Sequence, residues 1–116
     1  MIPSISGWLR KMGNKYRAIR CWSALCRRDF DSKAERARGE DLYMQERAGL
    51  ISQLRFQEPI WKLSAKPLIT YKPDFWYIKD GQEVFEDSKG ILTRETRVKL
   101  AWLTEKFGVV VKLFQA

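Results

Sequence analysis

The stretch ITYKPDFWYIKDGQEVFEDSKG, residues 69–90, decides the fold. Two runs rich in β-branched and aromatic residues flank Asp80-Gly81, a dipeptide favoured in the type I′ turns of tight hairpins. The stretch therefore predicts an antiparallel β-hairpin. Pairing around that turn would bring Asp74 opposite the region of Asp87, with a bulge or a slip of one or two residues allowed.

A helix is predicted before this hairpin, over residues 31–48. Asp31 or Ser32 can cap its first turn, and apolar residues recur at helical spacing along it. Gly49 can adopt the left-handed conformation that ends a helix. Gly39 costs the helix about 1 kcal/mol relative to alanine. It is either a place of close backbone contact or a tolerated defect.

Strands and a second helix complete the pattern on both sides. Residues 50–63 alternate well enough for a strand, interrupted or bulged near Pro59. A helix is predicted over residues 93–107, ended by Gly108, and residues 109–114 form an apolar closing strand, expected to be buried and parallel. The fold class is therefore α/β (α+β), with a mixed sheet of about four strands in the order helix-strand-strand-strand-helix-strand.

Composition and charge indicate one globular domain with a polyanionic partner. The chain has 116 residues, 45% of them hydrophobic, and a net charge of +8. Residues 1–38 hold 10 Lys and Arg against 3 acids, a net +7. We divide the chain into a basic N-terminal segment, residues 1–30, possibly with short strands, and a core, residues 31–116. The asymmetry favours nucleic acid over membrane, while a basic arm that only aids solubility is the alternative.

The lack of histidine and the small number of cysteines limit the catalytic chemistry that this chain could carry out. The sequence has no histidine, which excludes Ser-His and Cys-His nucleophilic catalysis and any histidine base. Cys21 and Cys26 are too few for a zinc site of thiolates alone. An enzyme built on this chain would use carboxylates, lysines and a metal ion.

No apolar run is long enough to span a bilayer and no signal peptide is evident, so we expect a cytoplasmic protein with no membrane partner.

The tripeptide Asp-Ser-Lys occurs at residues 31–33 and at residues 87–89. Side chains at i and i+2 share one face of a strand but diverge around a helix. The first copy lies at a helix start and is interpreted as a cap, whereas the second ends a strand and can form a site. Asp74 would join it across the hairpin, and a cation would offset two buried like charges. A solvated rim of charges is the alternative.

At this point the sequence resembles a known family. Pro73-Asp74 followed by Asp87-Ser88-Lys89 resembles the PD-(D/E)xK nuclease signature, and Glu35 in FDSKAE occupies the place of the helix-borne glutamate of that superfamily. Several segments follow the layout of a small phage and prophage family once described only as a domain of unknown function, similar to phage endonuclease I and archaeal-type Holliday junction resolvases. These segments are NKYRA (14–18), FDSKAE (30–35), GLISQLRFQEPIWKL (49–63), YKPDFWY (71–77), VFEDSKG (84–90) and FGVVVKLF (107–114).

The resemblance implies a restriction-endonuclease-like core and a metal-dependent hydrolase. Asp74, Asp87 and the backbone carbonyl of Ser88 would bind Mg²⁺, with Mn²⁺ as an alternative, and Glu35 would complete the shell. Lys89 would orient the attacking water or stabilise the transition state. The implied activity is hydrolysis of phosphodiester bonds in branched DNA by an endonuclease, as in phage recombination.

The same resemblance implies a DNA interface and a two-fold homodimer, because a four-way junction presents two symmetric strands. Gln57 and Glu86 are lesser site candidates. A less selective phage nuclease, a basic DNA-binding protein without chemistry and an RNA substrate remain alternatives. The predicted phosphate contacts are Lys15, Arg17, Arg20, Arg27, Arg28, Arg94 and Arg97, with Lys11 and Lys99 as further candidates.

Overall fold

A computed structural model describes residues 21–88 and 92–114. This part of the chain contains two helices and eight strands, several of them very short. The helices are α1 Lys33–Arg47 and α2 Arg94–Phe107, and the strands are β1 Cys21–Ser23, β2 Arg28–Phe30, β3 Ser52–Phe56, β4 Trp61–Ala65, β5 Leu68–Tyr71, β6 Phe75–Lys79, β7 Gln82–Ser88 and β8 Val111–Phe114.

The predicted hairpin is present as β6 and β7. Asp80 and Gly81 have φ angles of 52° and 77°, the left-handed conformation that both central residues of a type I′ turn require. The two strands pair from Lys79 opposite Gln82 to Phe75 opposite Glu86, without a bulge. Continuing this register by one residue sets Asp74 opposite Asp87, so no slip is needed.

The central sheet has four strands in the order β3-β6-β7-β8. β3 and β7 are antiparallel to β6, while β8 returns from α2 and pairs in parallel with β7. The sheet is therefore mixed, and α1, β3, β6, β7, α2 and β8 follow each other in the predicted order. These features confirm the α+β fold class and the four-stranded mixed sheet. The prediction that the last strand is buried is wrong, because β8 is an edge strand whose Leu113 is 36% exposed.

Both helices begin and end with recognisable caps. Ser32 is extended and accepts a hydrogen bond from the Glu35 N–H, and Thr93 accepts one from the Thr96 N–H. Gly108 ends α2 in the left-handed conformation, with a φ of 69°. Of the two residues considered as the cap of α1, Ser32 is the one that serves.

The β structure predicted over residues 50–63 is interrupted near Pro59, as expected, but the two parts belong to different sheets. β3 ends at Phe56, and β4 pairs with β5 in a separate two-stranded sheet. Pro59 lies between β3 and β4, where it has no N–H for a strand ladder, and the peptide bonds before Pro59 and Pro67 are cis. The β4–β5 hairpin is an element that the sequence analysis missed.

Apolar side chains fill both faces of the β6–β7 hairpin. On the face covered by α1, the core contains Phe30, Leu42, Ile51, Phe75 and Tyr77. A second core joins β4, β5 and α2 through Leu63, Tyr71 and Leu103. Alternate residues of β7 therefore face different layers of the protein.

Residues 21–30 form the β1–β2 hairpin, which packs on α1 through Phe30. Residues 1–20 of the basic N-terminal segment lie outside the described residues. Cys21 is buried and Cys26 is partly buried, and burial raises the pKa of the Cys26 thiol. Within residues 21–88 and 92–114, no helix is both long and apolar enough to cross a membrane.

Candidate active site

Asp74 and Asp87 contact each other's backbone at the open end of the β6–β7 hairpin. The Asp74 N–H donates to Asp87 Oδ1 at 2.8 Å, and the Ser88 N–H donates to Asp74 Oδ2 at 2.9 Å. Asp87 is 1% exposed. These reciprocal bonds follow from the uninterrupted hairpin register, which sets the two residues opposite each other. Two carboxyl groups are thereby fixed at one end of the sheet.

Glu35 adds a third carboxyl group from the first turn of α1. Its side chain is 4% exposed, accepts the Asp31 N–H at 2.9 Å and shares a hydrogen bond with the Asp74 carboxyl group. The Ser32 cap fixes the start of the helix and so fixes the direction of Glu35. We call Glu35, Asp74 and Asp87 the carboxylate cluster. The first Asp-Ser-Lys copy thus helps to orient Glu35, as the sequence analysis expected.

Asp74 is the member of the carboxylate cluster whose pKa is raised. Burial raises the pKa of Asp74 to about 8, with further contributions from the Glu35 hydrogen bond and the negative charge of Asp87. The Ser88 N–H acts in the opposite direction because it stabilises the ionised form. Groups whose pKa is raised in this way concentrate at functional sites.

Tyr71 is a residue of this site that the sequence analysis missed. It is buried at the end of β5, and its hydroxyl donates to Asp87 Oδ2. Burial and the neighbouring charge of Asp87 raise the pKa of Tyr71, so the phenol stays protonated and remains a donor. Its only sequence signal was its position three residues before Asp74. The β4–β5 hairpin that carries it was not predicted.

Glu86 lies on the opposite face of β7 from Asp87 and belongs to a separate structural network. It is fully buried, and Arg38 donates to its two carboxylate oxygens at 2.5 and 3.1 Å. The Tyr77 hydroxyl donates to Glu86 Oε2 at 2.6 Å. The hydrogen bond to Glu86 raises the pKa of Arg38. Because Arg38 lies one turn after Glu35, this ion pair joins α1 to β7 directly behind the carboxylate cluster.

The remaining predicted site residues are not part of the cluster. Lys89, Lys15, Arg17 and Arg20 lie outside the described residues. Gln57 follows β3 with a φ of 60°, and its N–H donates to the Asp74 carbonyl at 3.1 Å. The exposed or partly exposed predicted phosphate contacts that the structure describes are Arg27 and Arg28 near β2 and Arg94 and Arg97 on α2.

Arg28 is engaged in ring contacts. Its guanidinium carbon lies 5.1 Å from the ring centre of Phe30 and 4.6 Å from that of Phe56. Its Nε also donates to the Asp29 carbonyl at 3.3 Å, so ring contacts and a hydrogen bond both orient the guanidinium plane. Arg28 is thus better ordered than a fully solvated arginine.

The donor types of the carboxylate cluster suit Mg²⁺, which prefers hard oxygen ligands. Within the described part of the chain, however, no three acidic or cysteine side chains already point at one shared metal position. The Asp87 oxygens instead accept hydrogen bonds from the Tyr71 hydroxyl and the Asp74 N–H, and Asp74 Oδ2 accepts one from the Ser88 N–H. Loss of the Asp74 proton would free the oxygens of Asp74 and Glu35 for a cation.

One family model matches this chain over residues 13–114, and its description is "Protein of unknown function (DUF1064)". The chain belongs to this family. The match of the DUF1064 model includes α1, both central hairpin strands and β8, and so the whole carboxylate cluster. No curated protein and no solved structure matches the chain.

Proposed function

We propose that this DUF1064 protein is a Mg²⁺-dependent DNA endonuclease that cuts branched DNA, such as four-way junctions. The observation that carries the proposal is the carboxylate cluster: carboxyl groups from α1, β7 and the residue before β6 lie next to each other, and burial raises the pKa of Asp74. Buried carboxyl groups set beside each other are costly unless a proton or a cation joins them. The PD-(D/E)xK resemblance of the same residues supports this interpretation.

Each residue has a distinct role in the proposed reaction. Glu35, Asp74, Asp87 and the Ser88 carbonyl would hold Mg²⁺, or Mn²⁺ in its place, and Tyr71 orients Asp87. The bound ion would lower the pKa of water and offset charge on the phosphate. Lys89 would donate to a non-bridging oxygen. Water would form the new P–O bond and release a proton to the solvent, while the bond to the 3′ oxygen would break and that oxygen would take a proton from solvent water, leaving a 5′-phosphate and a 3′-hydroxyl.

The proposal extends to the partners and the compartment. The net charge of +8, with +7 in residues 1–38, supports electrostatic attraction to DNA phosphates. A homodimer would place two sites on the two symmetric strands of a junction. We assign the activity to the cytoplasm of a host cell, where a phage-encoded recombination enzyme meets its DNA.

Cleavage of a labelled four-way junction beside a linear duplex of matching sequence tests the proposal. Each substrate is incubated with wild type, Asp87→Asn or Asp80→Asn, in Mg²⁺ or in EDTA. Paired symmetric cuts confined to the junction, abolished by EDTA and by Asp87→Asn, are expected. Asp80→Asn removes a carboxylate from the exposed turn, where asparagine is equally suited, and should cut like wild type.

The other outcomes separate the alternatives. If junction and duplex are cut equally, the protein is a general nuclease and not a junction-selective one. Tight binding of the junction without cutting in Mg²⁺ or Mn²⁺ would leave a DNA-binding protein. Cutting of an RNA junction in preference to the DNA junction would change the substrate class.

A further inference from the structure

A recess of about 350 Å³ opens beside the carboxylate cluster. It is lined by Ile60, Thr70, Tyr71, Lys72, Thr96 and Lys99. We propose that this Lys72–Lys99 recess binds one backbone phosphate of the DNA strand next to the bond that is cut. The inference rests on the proposed function and adds to it a defined subsite for the substrate strand.

The recess is a direct neighbour of the carboxylate cluster because they share Tyr71. That residue lines the recess, while its hydroxyl donates to Asp87. Lys72 precedes Asp74 by two residues, which spans about 7 Å in an extended chain. A strand whose scissile phosphate lies at the carboxylate cluster therefore has a neighbouring phosphate within reach of the recess.

The lining has the chemistry of a phosphate site. Two ammonium groups and the hydroxyls of Thr70 and Thr96 supply donors from β5, the following loop and α2, and none of the described residues that line the recess is acidic. Each lysine offers three donors to the several oxygens of a phosphate diester. Ile60, which is 66% exposed, gives the rim an apolar surface suited to a deoxyribose.

The charge of Lys99 remains available for a ligand. Its ion pair with Glu95 is 3.6 Å long and the Glu95 side chain is 80% exposed, so solvent screens the pair. Lys72 is exposed. A bound phosphate would therefore displace water and one weak surface contact, and would not break a buried ion pair.

A double-mutant cycle on DNA binding tests the recess. Binding of the full chain to labelled junction DNA is measured in EDTA between 50 and 200 mM salt for wild type, Lys72→Gln, Lys99→Gln and the double variant. If both lysines hold one phosphate, each single change weakens DNA binding about tenfold. The double change then weakens it by clearly less than the roughly hundredfold expected of two independent losses. The salt slope of the double variant falls by about one in total.

Lys79→Gln is the matched control. Lys79 is exposed at the turn end of β6, about 17 Å of strand from Asp74. Combined with Lys72→Gln, it should give independent, multiplying losses. The shared phosphate site would be overturned if the losses of DNA affinity from Lys72→Gln and Lys99→Gln also multiplied in the double variant. In that case the salt slope of binding would fall by about two. The site would also be overturned if Lys79→Gln coupled to Lys72→Gln as strongly as Lys99→Gln does.

Cleavage of the junction by wild type in Mg²⁺, measured in parallel, separates this inference from the proposed function. If wild type cuts the junction but the losses of affinity multiply, the phosphate site in the recess is overturned and the proposed nuclease function stands. If the losses of affinity are coupled but wild type cuts no junction in any divalent ion, the recess binds phosphate on a protein that does not hydrolyse DNA. Failure of wild type to bind DNA overturns both.

Discussion

Asp74 is the residue on which the electrostatics of the site depend. Its Oδ2 accepts a hydrogen bond from the Ser88 N–H, and its carboxyl group shares a hydrogen bond with Glu35 and lies beside Asp87. Because its pKa rises from the ordinary 3.8 to about 8, the folded protein holds a proton there that the unfolded chain releases. Proton binding and cation binding are therefore alternative ways to stabilise the same group.

Asp74→Asn should flatten the dependence of stability on pH. In wild type the folded state binds more protons than the unfolded state between pH 4 and 8, so the free energy of unfolding falls as pH rises through this range. The slope is at most about 1.4 kcal/mol per pH unit. The stabilisation is fully present below about pH 4 and is lost as pH rises through about 8. Urea unfolding in EDTA at several pH values measures it.

Asp80→Asn serves as the control, because it removes one exposed carboxylate from the turn of the same hairpin. We expect it to keep the wild-type pH profile, while Asp74→Asn becomes more stable than wild type near pH 8. A wild-type profile without a decline between pH 4 and 8 would contradict the assigned proton on Asp74.

Tyr71→Phe should weaken Mg²⁺ binding by about 10- to 100-fold, because the hydroxyl that orients Asp87 is lost. Tyr77→Phe is a closely matched control, since Tyr77 is also buried and donates to the adjacent Glu86 on the other face of β7. It should reduce stability by about 1 to 3 kcal/mol while Mg²⁺ affinity is retained. Calorimetric titration with Mg²⁺ and urea unfolding separate the two effects. Equal affinities in both variants would remove Tyr71 from the site.

At the scale of elements, α1 is the part that assembles the site. One face of this helix carries Glu35 toward Asp74, Arg38 toward Glu86 and Gly39 against Phe30. Its spacing of three and four residues brings these side chains to one side. The sequence left open whether Gly39 was a defect. The structure shows that the glycine allows close packing, since an added Cβ would lie 2.7 Å from Phe30 Cζ.

Gly39→Ala should destabilise the protein by about 1 to 2 kcal/mol, although alanine is the better helix former. Phe30 is 2% exposed and Phe75 is fully buried, so neither ring can move into solvent. In the Phe30→Leu background the same change should cost less, because the smaller side chain leaves room. Urea unfolding of the four proteins measures the coupling. Strict additivity, or a stabilised Gly39→Ala protein, would contradict the packing role.

At the scale of the whole molecule, positive charge is concentrated in the N-terminal third of the sequence, whereas Asp74 and Asp87 lie further along the chain. Residues 1–38 carry +7, and residues 39–116 carry only +1. α1, which is part of the basic third, nevertheless delivers Glu35 to the carboxylate cluster. A basic segment that leads directly into the helix carrying Glu35 suits the proposed action on a polyanion.

The proposed cutting of paired junction strands requires two sites. We therefore expect light scattering to give a particle of about twice 13.7 kDa at the concentrations at which junction DNA is bound. Added EDTA should not change that mass, because the carboxylate cluster is assembled within one chain. A mass of a single chain, free and on the junction, would contradict paired symmetric cutting.

The sequence by itself determined the local elements: the type I′ hairpin at Asp80-Gly81, the Ser32 and Thr93 caps, and the glycines that end both helices. These features depend on backbone conformations that neighbouring residues impose. Hairpin register also follows from the turn, which is why the pairing of Asp74 with Asp87 could be predicted.

Only the tertiary structure decided which distant residues complete the site. Tyr71 reaches Asp87 from a hairpin of a different sheet, Arg38 neutralises Glu86 behind the cluster, and Lys99 on α2 faces Lys72 across the recess. Such contacts depend on how separate layers pack, and no short-range pattern encodes them. The pKa of Asp74 has the same origin, because burial between these layers raises it.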